Sequence, residues 1–381
     1  MLRCACLCLL LTACWSQGSV PPRSAAGDSA AISATPEPHA IVSFGINTGN
    51  DPGLNLALRV AGGSQQRFLF DTGSSGFWVY PNALGKSYTT TTYTVTNSYG
   101  SGIVYNGTVV YATVDFGNGL VTTSIPVVRV DSASCENTRP NCPAHPSATH
   151  CPGVNPKKRD AGILCLEAGR KLFGTFGADL EPTLIPSGKS AVFELYNAIF
   201  AIQKPWANAF IVSSGELQIG PRSLLGFALL PMTPKSLPSP MPNGAKGWKR
   251  DVTLCYTVGK RLRGQCYDTL FDTGAFDINF QATVNLPLNT KRCGFGLVTK
   301  GVAFTLAQKN GATLSAFPAG YVANWNAVRT TSPKPSSTPQ VNTGFTFYNH
   351  DEILFDARKG RVGLRPLVTP GRIAQTGCTG V

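Results

Sequence analysis

The chain has 381 residues, room for one large two-lobed unit or two ordinary domains. Hydrophobic residues make up 43% of it and charged residues only 14%, which excludes a disordered chain; no apolar run reaches the roughly eighteen residues of a membrane-spanning helix. The net charge of +13 is spread along the sequence rather than gathered in a basic stripe with interleaved aromatics, so it predicts a basic surface and not a nucleic-acid-binding one.

In chain order, residues 1–13 read as a signal peptide: Arg3 supplies a positive start, and Leu7, Leu9, Leu10 and Leu11 form a short apolar core. The run Leu11-Thr12-Ala13-Cys14 resembles the lipobox of bacterial lipoproteins. That resemblance implies cleavage before Cys14 and lipidation of its thiol, with an ordinary signal peptide cut further on as the alternative. The expected location is the cell envelope, lipid-anchored on the outer membrane or the periplasmic face, or otherwise secreted, with acyl chains as the contact with membrane. Residues 14–38 are rich in Ser, Ala, Pro and Gly and read as a tether. Of 12 cysteines, Cys4, Cys6, Cys8 and Cys14 fall in the signal region. Cys135, Cys142, Cys151, Cys165, Cys255, Cys266, Cys293 and Cys378 remain, an even number that suggests disulfides whose pairing the sequence leaves open.

From Ile41 onward the chain shows short apolar or alternating runs: Leu54 to Val60, Arg67 to Phe70, Phe77 to Tyr80, Gly107 to Val114 and Ile125 to Val130. With 40 glycines and 28 prolines between and around such runs, the architecture is predicted to be all-β. Ser190 to Ile202 carries apolar residues near helical spacing and is the best helix candidate. Residues 132–158 hold three cysteines and many prolines and read as a stapled surface excursion. Residues 231–249 and 330–340 read as loops. The divisions expected are an N-terminal lobe over 39–180, a C-terminal lobe over 181–370 and a tail over 371–381.

One internal repeat carries the chemistry. Leu69-Phe70-Asp71-Thr72-Gly73 recurs as Leu270-Phe271-Asp272-Thr273-Gly274, 201 positions on (272 − 71). A single Asp-Thr-Gly is weak, because Asp and Gly are common in turns. Two matched copies, one per half, suggest two similar lobes about a pseudo-twofold axis with a shared cleft. Two carboxyls held close in a shielded site cannot both ionise cheaply, so one keeps a proton. The ionised member can take a proton from water while the protonated one polarises a carbonyl, and the pair titrates as a unit. Thr72 and Thr273 fit as supports, and Gly73 and Gly274 permit a tight backbone.

On these residues the chain resembles the pepsin-like aspartic proteases, from about residue 41 to 367. Phe70-Asp71-Thr72-Gly73-Ser74-Ser75-Gly76-Phe77-Trp78-Val79 is similar to the family's first active-site stretch, and Trp78 falls where the family keeps a flap-supporting tryptophan. Asp160 to Leu166 looks like the segment behind the first aspartate. Gly344 to Phe347, Ile353 to Asp356 and Arg361 to Leu364 look like the closing strands. The resemblance implies a bilobal fold of two β lobes, an aspartic endopeptidase with Asp71 and Asp272 as catalytic carboxylates and Ser74 as a supporting donor, and an extended polypeptide as substrate. It implies no cofactor and no metal, and a monomer is expected. A flap hairpin is expected at Tyr99-Gly100-Ser101-Gly102, with Tyr105 or Tyr93 as alternative flap tyrosines. Closure over the site would shield it from water. The family often has a short disulfide loop where Cys255 and Cys266 stand, and Cys293 with Cys378 is a further candidate pair.

Three departures stand out. Ala275 replaces the Ser or Thr usual in pepsins, although some active relatives carry Ala there. A carboxylate deprived of a donor should titrate higher, so a less acidic optimum than pepsin's is expected; a pH–rate profile peaking below about pH 3 would count against it. Cys165 stands where Gly is usual, and Asn342-Thr343 where two apolar residues are usual. No basic, helix-prone segment precedes the core, so zymogen control of the usual kind is not expected. Two other readings compete. Cys135, Cys142, His145, His150 and Cys151 could hold zinc instead of forming disulfides. The chain could also be a weak or inactive pepsin-fold binding protein of the envelope.

Overall fold

In the computed structural model the described residues run from 38 to 368, apart from 48–52, 147–153, 156, 159, 188–190, 276, 287, 290–296, 299–300, 320–327 and 332–337. The signal-peptide, lipobox and tether expectations, the tail, and Cys151, Cys293 and Cys378 therefore lie outside the described residues.

The chain is mostly β and bilobal, as its short alternating runs predict. Each lobe contains the same five-strand arrangement. In the first, Gly53–Val60 runs antiparallel to Gln66–Asp71, which lies parallel to Gly174–Ala178; that strand is antiparallel to Ser75–Val79, itself parallel to Ile125–Cys135. In the second, Val252–Val258 is antiparallel to Leu262–Leu270, which is parallel to Gln340–Asn342; that strand is antiparallel to Ile278–Gln281, itself parallel to Val328–Thr331. Even the register repeats: Leu69 faces Thr175, and Leu270 faces Asn342. A third, six-stranded sheet joins Ala40–Ser43, Glu216–Ile219, Ala209–Val212, Asp351–Asp356, Arg361–Pro366 and Ala228–Pro231 in that order.

Aromatic side chains fill the space behind each Asp-Thr-Gly turn. Phe68, Phe70, Phe77 and Phe176 pack together, with Phe70 and Phe176 stacked at 5.8 Å. Behind the second turn Tyr256, Phe280, Phe304, Phe317 and Phe347 form the matching group. These rings are buried, and burial of this size anchors the strands that deliver the aspartates.

Three local expectations are corrected. The expected helix over Ser190 to Ile202 is not formed by its described residues, 191–202. Ala191–Leu195 is a strand paired with Thr183–Ser187, and Ala198–Ala201 is a 3-10 turn begun by Asn197, whose side chain accepts from the Ile199 amide at 3.0 Å. A strand partner was at hand, and the asparagine stops a continuous helix. Asp160 to Leu166 is not the strand behind the first aspartate. Ala161–Arg170 is an α-helix, and the position beside Asp71 belongs to Gly174–Ala178. Cys165 therefore does not occupy a glycine position of the site; it is disulfide-bonded on that helix. Gly344 to Phe347 is not a strand either, because Phe345–Asn349 forms a 3-10 helix; the two strands that follow it are as expected.

Candidate active site

Asp71 ends the strand Gln66–Asp71, and Asp272 follows the strand Leu262–Leu270. The two turns lock into each other through their threonines. The Thr72 amide donates to Thr273 Oγ1 at 3.0 Å, and the Thr273 amide donates to Thr72 Oγ1 at 3.0 Å. Each hydroxyl then donates across the lobes, Thr72 to the Phe271 carbonyl at 2.8 Å and Thr273 to the Phe70 carbonyl at 2.6 Å. Four buried bonds between residues about two hundred positions apart fix one lobe's turn against the other's. The glycines make the approach possible. A Cβ on Gly73 would lie 2.4 Å from the Asp272 carboxyl carbon, and one on Gly274 would lie 2.5 Å from that of Asp71.

This lock sets the carboxyl of Asp272 close enough to that of Asp71 for its charge to act on it. Each has an inner and an outer donor. Asp71 Oδ1 accepts from the Gly73 amide at 2.8 Å and Oδ2 from the Ser74 hydroxyl at 2.6 Å. Asp272 Oδ1 accepts from the Gly274 amide at 2.7 Å and the Ala275 amide at 3.2 Å. Its Oδ2 accepts from the side-chain amide of Asn342. The premise that Asp272 lacks an outer donor is thus corrected: the missing hydroxyl at Ala275 is made good from a neighbouring strand. Burial, and next the Asp272 carboxylate, hold the Asp71 carboxyl well above the usual range, against the lowering effect of the Ser74 and Gly73 donors. The pair therefore holds its shared proton more tightly than a lone carboxyl would.

The hairpin Tyr88–Ser98 and Ile103–Ala112 turns at Tyr99-Gly100-Ser101-Gly102, closed by the Gly102 amide on the Tyr99 carbonyl at 2.9 Å, with Gly102 at φ +88°. Burial, Tyr105 and the Asp71 charge, in that order, raise the Tyr99 phenol well above its usual range, so Tyr99 lies within electrostatic reach of the carboxyl pair as a neutral donor. Its ring packs edge-on to Tyr105 at 5.1 Å. Tyr105 in turn contacts Trp78, 5.9 Å between centroids, and meets the Tyr80 hydroxyl at 2.6 Å. Tyr93 packs at the edge of the same cluster.

Several residues that the sequence reading missed complete the surroundings. Asn342 is one, and its only signal was a polar residue where the family strand is apolar. The Tyr348 hydroxyl lies 2.9 Å from Thr72 Oγ1, beneath the lock. Arg250 donates to the Gly73 carbonyl at 3.1 Å and pairs with Asp179 at 3.5 Å and Glu181 at 3.3 Å. The Asp179 amide meanwhile donates to the Ser74 carbonyl at 3.0 Å. Burial pushes the Asp179 carboxyl up to about 7 despite Arg250. No sequence signal marked Tyr348 or Arg250, since both contacts cross more than 170 positions.

Cys135 is bonded to Cys142 and Cys255 to Cys266. The first bond takes two thiolates out of the competing zinc cluster. The second joins directly facing residues of the strands Val252–Val258 and Leu262–Leu270 that lead to Asp272.

Residues 40–164 match the model of the PE-PGRS C-terminal aspartyl peptidase-like domain. Among solved structures, the crystal structure of the aspartic proteinase from Irpex lacteus is similar, with a TM-score of 0.50 and 14% identity over 86% of this chain and 97% of that one. No curated protein matches the sequence. The chain thus has the bilobal fold of the pepsin-like aspartic proteases, and its residues 40–164 match an aspartyl peptidase-like domain.

Proposed function

We propose that the chain is an aspartic endopeptidase in which Asp71 and Asp272 activate one water between them. The observation that carries this reading is the pair of interlocked Asp-Thr-Gly turns, which hold two buried carboxyls side by side with a donor on each oxygen. The ionised carboxylate takes a proton from the water while the protonated carboxyl donates to the carbonyl oxygen of the peptide. A tetrahedral diol forms; the proton then passes to the amide nitrogen, the C–N bond breaks, and the pair regains its starting state. Thr72, Thr273, Gly73 and Gly274 hold the geometry, Ser74 orients Asp71, and Tyr99 and Gly100 at the hairpin tip close over an extended polypeptide, with Trp78 supporting that hairpin through Tyr105. Asp71 lies on the lobe assigned to 39–180 and Asp272 on the lobe assigned to 181–370.

Incubation of a denatured protein with the folded chain across pH 3 to 7 tests the reading, pH 3 being about the low end of the range expected for such a pair. Cleavage is expected, blocked by pepstatin and lowered at least about a thousandfold in Asp71→Asn, because an asparagine can neither hold nor pass on the proton that the pair shares. Cleavage at no pH would leave the binding-protein reading. Export and anchoring through Cys14 belong to the same proposal, supported by two disulfides and by the lipobox; no helix of the described residues is long and apolar enough to cross a membrane. Cys14→Ser is expected to move the protein from the membrane fraction to the soluble one, and an unchanged partition would remove the anchor.

A further inference from the structure

We propose that Asn342 is the positioning residue that holds the outer oxygen of Asp272, taking over from a strand the task that a hydroxyl at position 275 cannot perform here. The inference rests on the protease reading for its kinetic consequence but not for its structural one.

The two carboxylates share one kind of donor and differ in the other. Inner oxygens accept from the amides of Gly73 and Gly274. The outer oxygen of Asp71 accepts from Ser74, three residues on in the same turn. The residue three on from Asp272 is Ala275, which offers only its amide, and that amide goes to the inner oxygen. The outer oxygen of Asp272 is met by Asn342 Nδ2, seventy positions away. Asn342 faces Leu270 in register, and the first-lobe residue at the equivalent place is Thr175, facing Leu69. The asparagine is buried, and its orientation is set: the Gly344 amide donates to Oδ1 at 2.9 Å, so the NH2 must face the carboxylate. An amide fixed by its acceptor side is a pre-oriented donor, and a buried donor to a carboxylate stabilises the charged form. The loss at 275 and the gain at 342 thus form a compensating pair in space.

Among the described residues, the other titratable groups around the pair are Tyr99 and Tyr348, with Asp179 and Arg250 behind the first turn. Position 342 carries no charge in the parent or the variants, so none of these charges is added or removed, and agreement between the leucine and serine variants ties a change in the pair's titration to the lost donor. The experiment follows the carboxyl signals of the full chain, labelled at aspartate, by carbon NMR against pH, in the parent, Asn342→Leu and Asn342→Leu/Ala275→Thr. The pair's apparent titration is expected to move up in Asn342→Leu and return in the double variant, where a hydroxyl again stands in the turn. With a cleavable peptide, kcat is expected to fall about tenfold or more with KM within about twofold, the scale of one lost hydrogen bond to a charge, and to recover in the double variant. Asn342→Ser, which keeps polarity but not reach, is expected to show the same upward move and serves if the leucine variant does not fold. An unmoved titration in Asn342→Leu or Asn342→Ser, or a moved one that Ala275→Thr leaves unrepaired, overturns the proposal. Absence of cleavage by the parent would overturn the protease reading alone, because the titration decides the role of Asn342 without turnover.

Discussion

At the scale of residues, the site divides into contacts made within a turn and contacts made across the fold. The first kind was legible. Asp71, Thr72, Gly73 and Ser74 act within four consecutive positions, and their repetition at Asp272 to Gly274 announces a second copy. The reciprocal threonine bonds follow from the same repetition, since a pseudo-twofold axis between identical turns makes any contact reciprocal. The second kind was not legible. Asn342, Arg250 and Tyr348 reach the turns from 70, 177 and 276 positions away, and no spacing rule spans such distances. Ala275 shows how a reading confined to the turn goes astray: the absence of a hydroxyl was correctly seen, and the conclusion that its carboxylate lacks a partner was not correct.

At the scale of elements, the strands with alternating patterns were found and those built for close approach were not. Gly174-Thr175-Phe176-Gly177-Ala178 has only Thr175 and Phe176 as β-prone residues among glycines and an alanine, yet it runs between two strands with all five residues buried. A Cβ on Gly177 would meet the Gly76 carbonyl at 2.5 Å, so packing rather than propensity selects these residues. The excursion after Ile125–Cys135 turns out to hold the hairpin tip. The Cys135–Cys142 bond closes a short loop in which the Glu136 amide donates to the Gly102 carbonyl at 2.8 Å and Arg139 Nη1 donates to the Gly100 carbonyl. Gly100 and Ser101 at the middle of the tip are exposed, and such a segment should open readily; here two donors from one stapled loop restrain it. Arg139→Ala is therefore expected to raise tip opening about two- to tenfold, the scale of one exposed hydrogen bond. Amide hydrogen exchange at residues 99–103 measures it, and unchanged protection there would show that the loop does not restrain the hairpin.

At the scale of the whole molecule, buried ionisable groups tie folding to pH in opposing directions. Asp351 opens a strand of the six-stranded sheet, fully buried, with the Ser315 hydroxyl on its Oδ2 at 2.7 Å, and burial pushes its carboxyl up to about 7. Asp179 behind the first turn is pushed to about 7 likewise. A carboxyl that binds its proton more tightly folded than unfolded stabilises the fold fully below its unfolded pKa, about 4, and loses that contribution as pH rises through its folded value. His350, half-buried and stacked on Phe317 at 4.1 Å, is pushed down to about 4 by burial. Its contribution has the reverse sign, absent in acid and gained as pH rises toward about 6.5. The total curve mixes these terms, so one group is best isolated by difference. Asp351→Asn keeps the shape and a partner for Ser315 but cannot ionise. Relative to this variant, the parent is expected to lose about 3.5 kcal/mol of unfolding free energy between pH 4 and pH 8. Urea unfolding of both proteins at the two pH values measures the difference. Parallel stabilities would mean that Asp351 ionises without cost in the folded sheet, through a partner that its burial does not suggest.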